Sequence, residues 1–115
     1  MLPDRAAVRD YEREAIVTLC RDVLPHSTLS AVLDHPDDLS LKFTGAGYYL
    51  ELQYREIPDG RVVCDFPHLV GTFEEQEVGF VAFIEGGCLT LECYSFGNVG
   101  VPEEIREGVV SISAT

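Results

Sequence analysis

Basic residues are scarce in this chain. Eight Lys and Arg face twenty Asp and Glu, a formal net charge of −12 at pH 7, and Lys42 is the single lysine. A surface of that sign repels nucleic-acid backbones and anionic membranes, so neither is an expected partner. No run approaches the roughly 20 apolar residues of a membrane span. The opening Met1-Leu2-Pro3-Asp4-Arg5 lacks the charged-then-apolar layout of a signal peptide, and a cytoplasmic protein is expected. The four cysteines (Cys20, Cys64, Cys88, Cys93) show neither the short paired spacings of a zinc site nor the density of a disulfide scaffold. They read as reduced thiols in apolar surroundings.

What charge there is has a pattern. Residues 1–24 hold four bases and five acids, and the rest holds Lys42, Arg55, Arg61 and Arg106 against fifteen acids. Eleven of the twelve net negative charges therefore follow Leu24, and such a field favours encounter with a cationic partner. At 115 residues and 46% hydrophobic content, with six Phe and five Tyr, the chain has enough apolar surface to offset its chain entropy. One domain spanning 1–115 is expected.

From Asp4 to Leu24, Val8, Tyr11, Ala15, Ile16, Leu19, Cys20, Val23 and Leu24 recur at helical spacing, with Asp4 at the start and Pro25 at the stop. The rhythm then shortens to two. Leu29, Ala31 and Leu33 predict a strand, broken at His35-Pro36-Asp37-Asp38; Leu39, Leu41 and Phe43 predict another. The clearest alternation puts Tyr48, Leu50, Leu52 and Tyr54 on one face and Tyr49, Glu51, Gln53 and Arg55 on the other. A short strand at Val62–Cys64 ends near Pro67, residues 67–77 read as a long loop, and Val78–Ile84 reads as a central strand covered on both faces. Gly86-Gly87 predicts a hairpin into Cys88–Tyr94, because glycine supplies positive backbone angles. Phe96–Pro102 forms a second loop, then an acidic turn leads to a last strand at Val109–Ser113. The expected fold is α+β: an N-terminal amphipathic helix packed on a curled, mostly antiparallel sheet of six or seven strands.

Motifs for chemistry are thin. Cys64 with Asp65 and His68, or His35 with Asp37 and Asp38, are the nearest approaches to a metal set, but neither has paired ligand spacing, and no metal or cofactor is expected. Cys64 and His68 read better as a core thiol beside a loop histidine than as a nucleophile with its base, and no catalytic residue is assigned. Gly45-Ala46-Gly47 lies between strands with no lysine following, which makes it a turn rather than a phosphate cradle. Arg5, Arg9 and Arg13, four apart, read as a solvated helix face with local ion pairs.

The stretch Val78-Gly79-Phe80-Val81-Ala82-Phe83-Ile84-Glu85-Gly86-Gly87-Cys88-Leu89-Thr90-Leu91-Glu92-Cys93-Tyr94-Ser95-Phe96-Gly97, with Val101-Pro102 after it, resembles a C-terminal pattern of small bacterial immunity-type proteins of toxin–immunity systems. That pattern is an apolar strand, a turn with glycine, a strand with Leu-Glu, an aromatic, a glycine and a later proline. The resemblance implies a non-catalytic protein that binds and blocks a cognate toxin, with Leu91, Glu92 and Tyr94 on the hairpin.

The leading expectation is a protein-binding module for a basic partner. Its contact residues would be Glu51, Glu74, Glu75, Glu77, Glu103 and Glu104, with Tyr49 and Phe96 as aromatic anchors. The alternative is a small-ligand-binding or enzymatic domain with a pocket lined by Tyr48, Tyr54, His68 and Tyr94. A third reading is an oligomerising subunit, and the sequence leaves the oligomeric state open.

Overall fold

The computed structural model describes residues 7–96 and 100–114. The order is α1 (Asp10–Cys20), α2 (His26–Asp34), β1 (Asp38–Phe43), β2 (Gly47–Gln53), β3 (Val62–Phe73), β4 (Gln76–Glu85), β5 (Cys88–Ser95), a 3₁₀ turn (Glu103–Glu107) and β6 (Ser111–Ala114). All strand pairs are antiparallel, in one six-stranded sheet of order β1-β2-β5-β4-β3-β6. The α+β class and the antiparallel sheet are as expected. Among the described residues no helix is long and apolar enough to cross a membrane.

Helix α1 buries Tyr11, Ala15, Ile16, Leu19 and Cys20, one apolar stripe at helical spacing. Its expected start at Asp4, and Arg5 of the arginine row, lie outside the described residues, as do Gly97, Asn98 and Val99 of the late loop. The first helical residue among those described is Asp10.

Residues 26–34 correct the sequence reading, because they form a helix rather than a strand. Leu29, Val32 and Leu33 are the buried positions, at i, i+3 and i+4, and Pro25 fits the helix start, where no N–H is needed and its carbonyl accepts from Leu29. Pro36 bars His35 from helical angles and ends the element.

A second correction concerns β3. It continues past Pro67 to Phe73, because residues 65–68 form a bulge opposite Val81 and pairing resumes at Leu69↔Phe80. Pro67 lacks a ladder donor and sits in that bulge. The expected loop over 67–77 shrinks to the two-residue turn Glu74-Glu75, with Phe73 paired to Gln76.

The inner face of the sheet is the core. Tyr48, Leu50 and Leu52 of β2, Leu89, Leu91 and Cys93 of β5, and Val78, Phe80, Ala82 and Ile84 of β4 are all buried beneath the two helices. Each large aliphatic side chain there contributes on the order of 1.5–3 kcal/mol. The expectation that β4 is covered on both faces is half right: β4 is central, but Val81 and Phe83 on its other face are only half-buried. The molecule is 20 Å across its thinnest direction, about two layers thick.

Candidate interaction face

Three regions carry the polar and aromatic side chains worth considering: a buried cluster on the inner face, the open outer face, and the β3–β4 turn.

The buried cluster centres on Glu12, which is fully enclosed. Arg106 donates twice to it, from Nε to Oε2 at 2.7 Å and from Nη2 to Oε1 at 2.8 Å. Tyr48 donates its hydroxyl proton to Oε2 at 2.6 Å, and the Arg9 backbone N–H donates to Oε1 at 2.8 Å, as in half a capping box. The carboxylate thus receives four hydrogen bonds, its full accepting capacity. Tyr48 has spent its one proton, so the Tyr11 hydroxyl donates to the Tyr48 oxygen. Arg106 also reaches the Ala7 carbonyl at 2.8 Å, and Arg9 bonds the Arg106 carbonyl at 3.0 Å.

Burial pushes the Tyr11 and Tyr48 hydroxyls well above the ordinary tyrosine range, with the Glu12 charge adding to it. Burial would lower Arg106, but its hydrogen bonds and charge contact with Glu12 raise it overall. No buried side-chain nitrogen or oxygen is left unsatisfied among the described residues. A saturated, enclosed network of this kind holds α1 against β2 and the 3₁₀ turn and presents nothing to a ligand.

That geometry disperses the pocket of Tyr48, Tyr54, His68 and Tyr94. Tyr48 is committed to Glu12, and Tyr54, six residues along the same face, is buried and bonds Glu56 at 3.3 Å. Tyr94 projects from the opposite face, where its ring fills the space above Gly79, and His68 is exposed on the bulge. The four surround no common cavity. Cys64 is buried while Asp65 and His68 are exposed, and among the described residues no three His, Cys, Asp or Glu side chains converge as a metal site.

On the outer face no described element covers the sheet. Its register places Lys42, Tyr49, Glu92 and Val81 in one row, and Ser40, Glu51, Thr90, Phe83 and Val63 in the next. Tyr49 and Glu51 are half-buried there. The Glu92 carboxylate beside Tyr49 raises the phenol above its usual range, and Ser40 donates to Glu51 at 3.0 Å. Phe96, 49% exposed, stands edge-on to Tyr94 with ring centroids 5.7 Å apart.

The β3–β4 turn brings several of the expected contact residues together. Glu74, Glu75, Gln76, Glu77 and Phe96 line one open depression of about 400 Å³. Glu74 and Glu75 have φ of 48° and 71°, the left-handed region that turns of this length normally give to Asn and Gly. Gln76 ties the turn to the Gly100 carbonyl at 2.8 Å. Glu103 and Glu104 are exposed on the 3₁₀ turn, which is anchored through buried Ile105 and Arg106 on the helix side.

The ion pairs among the described residues engage other acids. Arg9 pairs with Glu107, Arg13 with Asp34, Arg55 with Asp37 and Arg106 with Glu12. Among the described residues no ion pair engages Glu51, Glu74, Glu75, Glu77, Glu103 or Glu104. The sequence reading missed Glu12 and Arg106 as a pair. The only available signal was one acid among helix arginines and one arginine within the acidic turn, 94 residues apart. Comparison with protein families, with curated proteins and with solved structures finds no match to this chain.

Proposed function

We propose that this protein is a non-catalytic binding module whose acidic rim and open sheet face dock a basic protein, in the manner of an immunity protein that occludes a cationic toxin. The observation that supports it is the turn. Two consecutive glutamates occupy left-handed backbone positions at a conformational cost of order 1 kcal/mol or more each, where Asn-Gly would cost little. Carboxylates kept there against local preference, in no ion pair among the described residues and beside an exposed Phe96, support a role in meeting an external partner. Their charge steers encounter, and Phe96 and Tyr49 supply apolar area that becomes buried on docking. Inhibition is by coverage of the partner's working surface, with no bond made or broken.

The test is capture of a basic protein from the source lysate by immobilised protein, followed by association kinetics with that protein. Reversal of Glu74, Glu75 and Glu77 to Lys is expected to slow association at least tenfold and to flatten its dependence on ionic strength. Kinetics unchanged by the triple reversal would remove the acidic rim from the contact.

A further inference from the structure

The sheet has an uncapped step. Strand β6 pairs with β3 only from Leu69 to Thr72, so on the side away from β4 the segment Val62–Asp65 meets no strand among the described residues. An edge left open in this way offers unpaired N–H and C=O groups to another chain, and proteins usually blunt it with charge or brevity. The opposite edge, β1, carries Asp38 and Lys42, and β6 has only four residues. The β3 step instead shows apolar side chains between exposed Arg61 and Asp65: Val62 is 36% exposed and Val63 46%, with Phe66, just beyond, at 76%.

We infer that two copies of this chain associate through this segment, β3 against β3, to form one continuous twelve-stranded sheet with two-fold symmetry. The sequence of the edge selects both the occupant and the register. In an antiparallel pairing centred on Val63, Arg61 lies across from Asp65 of the second copy and Asp65 across from its Arg61. Opposite charges directly across a strand pair attract. Neither residue has an ion-pair partner among the described residues of a single copy.

Val63 then faces Val63, and exposed Val62 faces Cys64. Gly60, just before Arg61, has no atom within 4 Å of where a Cβ would stand, so this end of the segment is not crowded within a single copy. A shift of one residue to a Cys64-centred register sets Asp65 against Val63 and loses both charge pairs. The bulge at 65–68 and Pro67, which has no N–H, close the pairing segment at Asp65 and keep the contact short. Because the axis of such a pair is perpendicular to the sheet, the outer faces of the two copies join into one surface.

A contact this small is expected to dissociate with a Kd on the order of 100 µM at physiological salt. Sedimentation of the full chain from about 10 µM to about 1 mM should show the mean mass rising from monomer towards dimer. Amide exchange at Val62–Asp65 should slow as concentration rises. Arg61→Asp and Asp65→Arg, both at exposed positions, should each weaken association about tenfold by setting like charges across the pair. The double variant R61D/D65R should restore it, an outcome that a merely structural role for either residue would not produce. A mass that stays monomeric throughout the range, a dimer indifferent to Arg61→Asp, or a double variant no better than the single ones would each overturn the proposal.

Discussion

Glu12 and Arg106 stand 94 residues apart in the chain and meet in two parallel hydrogen bonds of 2.7 and 2.8 Å, both side chains out of reach of water. The pair joins the first turn of α1 to the 3₁₀ turn near the carboxyl end, and Tyr48 of β2 closes it from below.

Breaking that pair from one side strands a buried charge. Glu12→Ala or Arg106→Ala is expected to lower unfolding free energy by about 3–5 kcal/mol, and Tyr48→Phe by about 1–3 kcal/mol. Glu12→Leu combined with Arg106→Met should recover part of the loss, because it removes the stranded charge while the Tyr48 hydroxyl and the Arg9 N–H still lose their acceptor. Urea unfolding of the four variants measures this, and single-variant losses below about 1 kcal/mol would show that the network contributes little.

The β3–β4 turn trades stability for charge. Glu74→Asn with Glu75→Gly suits the left-handed positions and should stabilise the fold by roughly 1 kcal/mol, visible as a higher midpoint in urea at unchanged slope. The same variant should bind the basic partner more weakly. A stabilised variant with full affinity would separate the turn from binding.

Alkaline pH should unfold the protein early. Burial raises Cys93 to about 12 and lifts Cys20, Tyr11 and Tyr48 above their ordinary values, so each is neutral in the folded protein where it ionises in the unfolded chain. The unfolded state then binds fewer protons, and stability falls as pH rises. The stabilisation is fully present below about pH 9, the ordinary thiol range. It is lost first through the cysteines and then, above about pH 10, through the tyrosines, at about 1.4 kcal/mol per pH unit for each group titrating. Thermal midpoints taken from pH 7 to 11 check it, and a midpoint that holds level to pH 11 would contradict the burial of these groups.

Gly79 on β4 is where the far end of the Tyr94 ring of β5 comes against the strand. A Cβ there would sit 2.4 Å from the ring, so Gly79→Ala must expel Tyr94 from its place on the outer face. A cost of about 1–3 kcal/mol is expected, and it should largely vanish in a Tyr94→Ala background if the clash is its cause.

Local rules carried much of this fold. The period-two alternation of Tyr48, Leu50, Leu52 and Tyr54 identified the core face of β2, and Gly86-Gly87, both at positive φ, identified the β4–β5 hairpin. Residues 26–34 were misread because Leu29, Ala31 and Leu33 satisfy a strand template while Leu29, Val32 and Leu33 satisfy a helical one. Over nine residues the two patterns differ by a single side chain. The 67–77 segment was misread because Pro67 normally ends a strand, and only pairing on the far side of a bulge reveals that β3 resumes. At the candidate site, Glu74, Glu75, Glu77 and Phe96 were legible as acid and aromatic, and their convergence on one depression was not.

The order of residues carries the sign of the surface, the hydrophobic face of each well-patterned strand and the position of its glycine turn, because those depend on sums or on neighbours a few residues apart. Long-range packing set the meeting of Glu12 with Arg106 and, among the described residues, the open outer side of the sheet and the bare step of β3 beside β6. Each of these follows from strand order, with β5 inserted between β2 and β4, and from where pairing stops. Those choices are made by long-range packing free energy, which leaves no periodic trace in the chain.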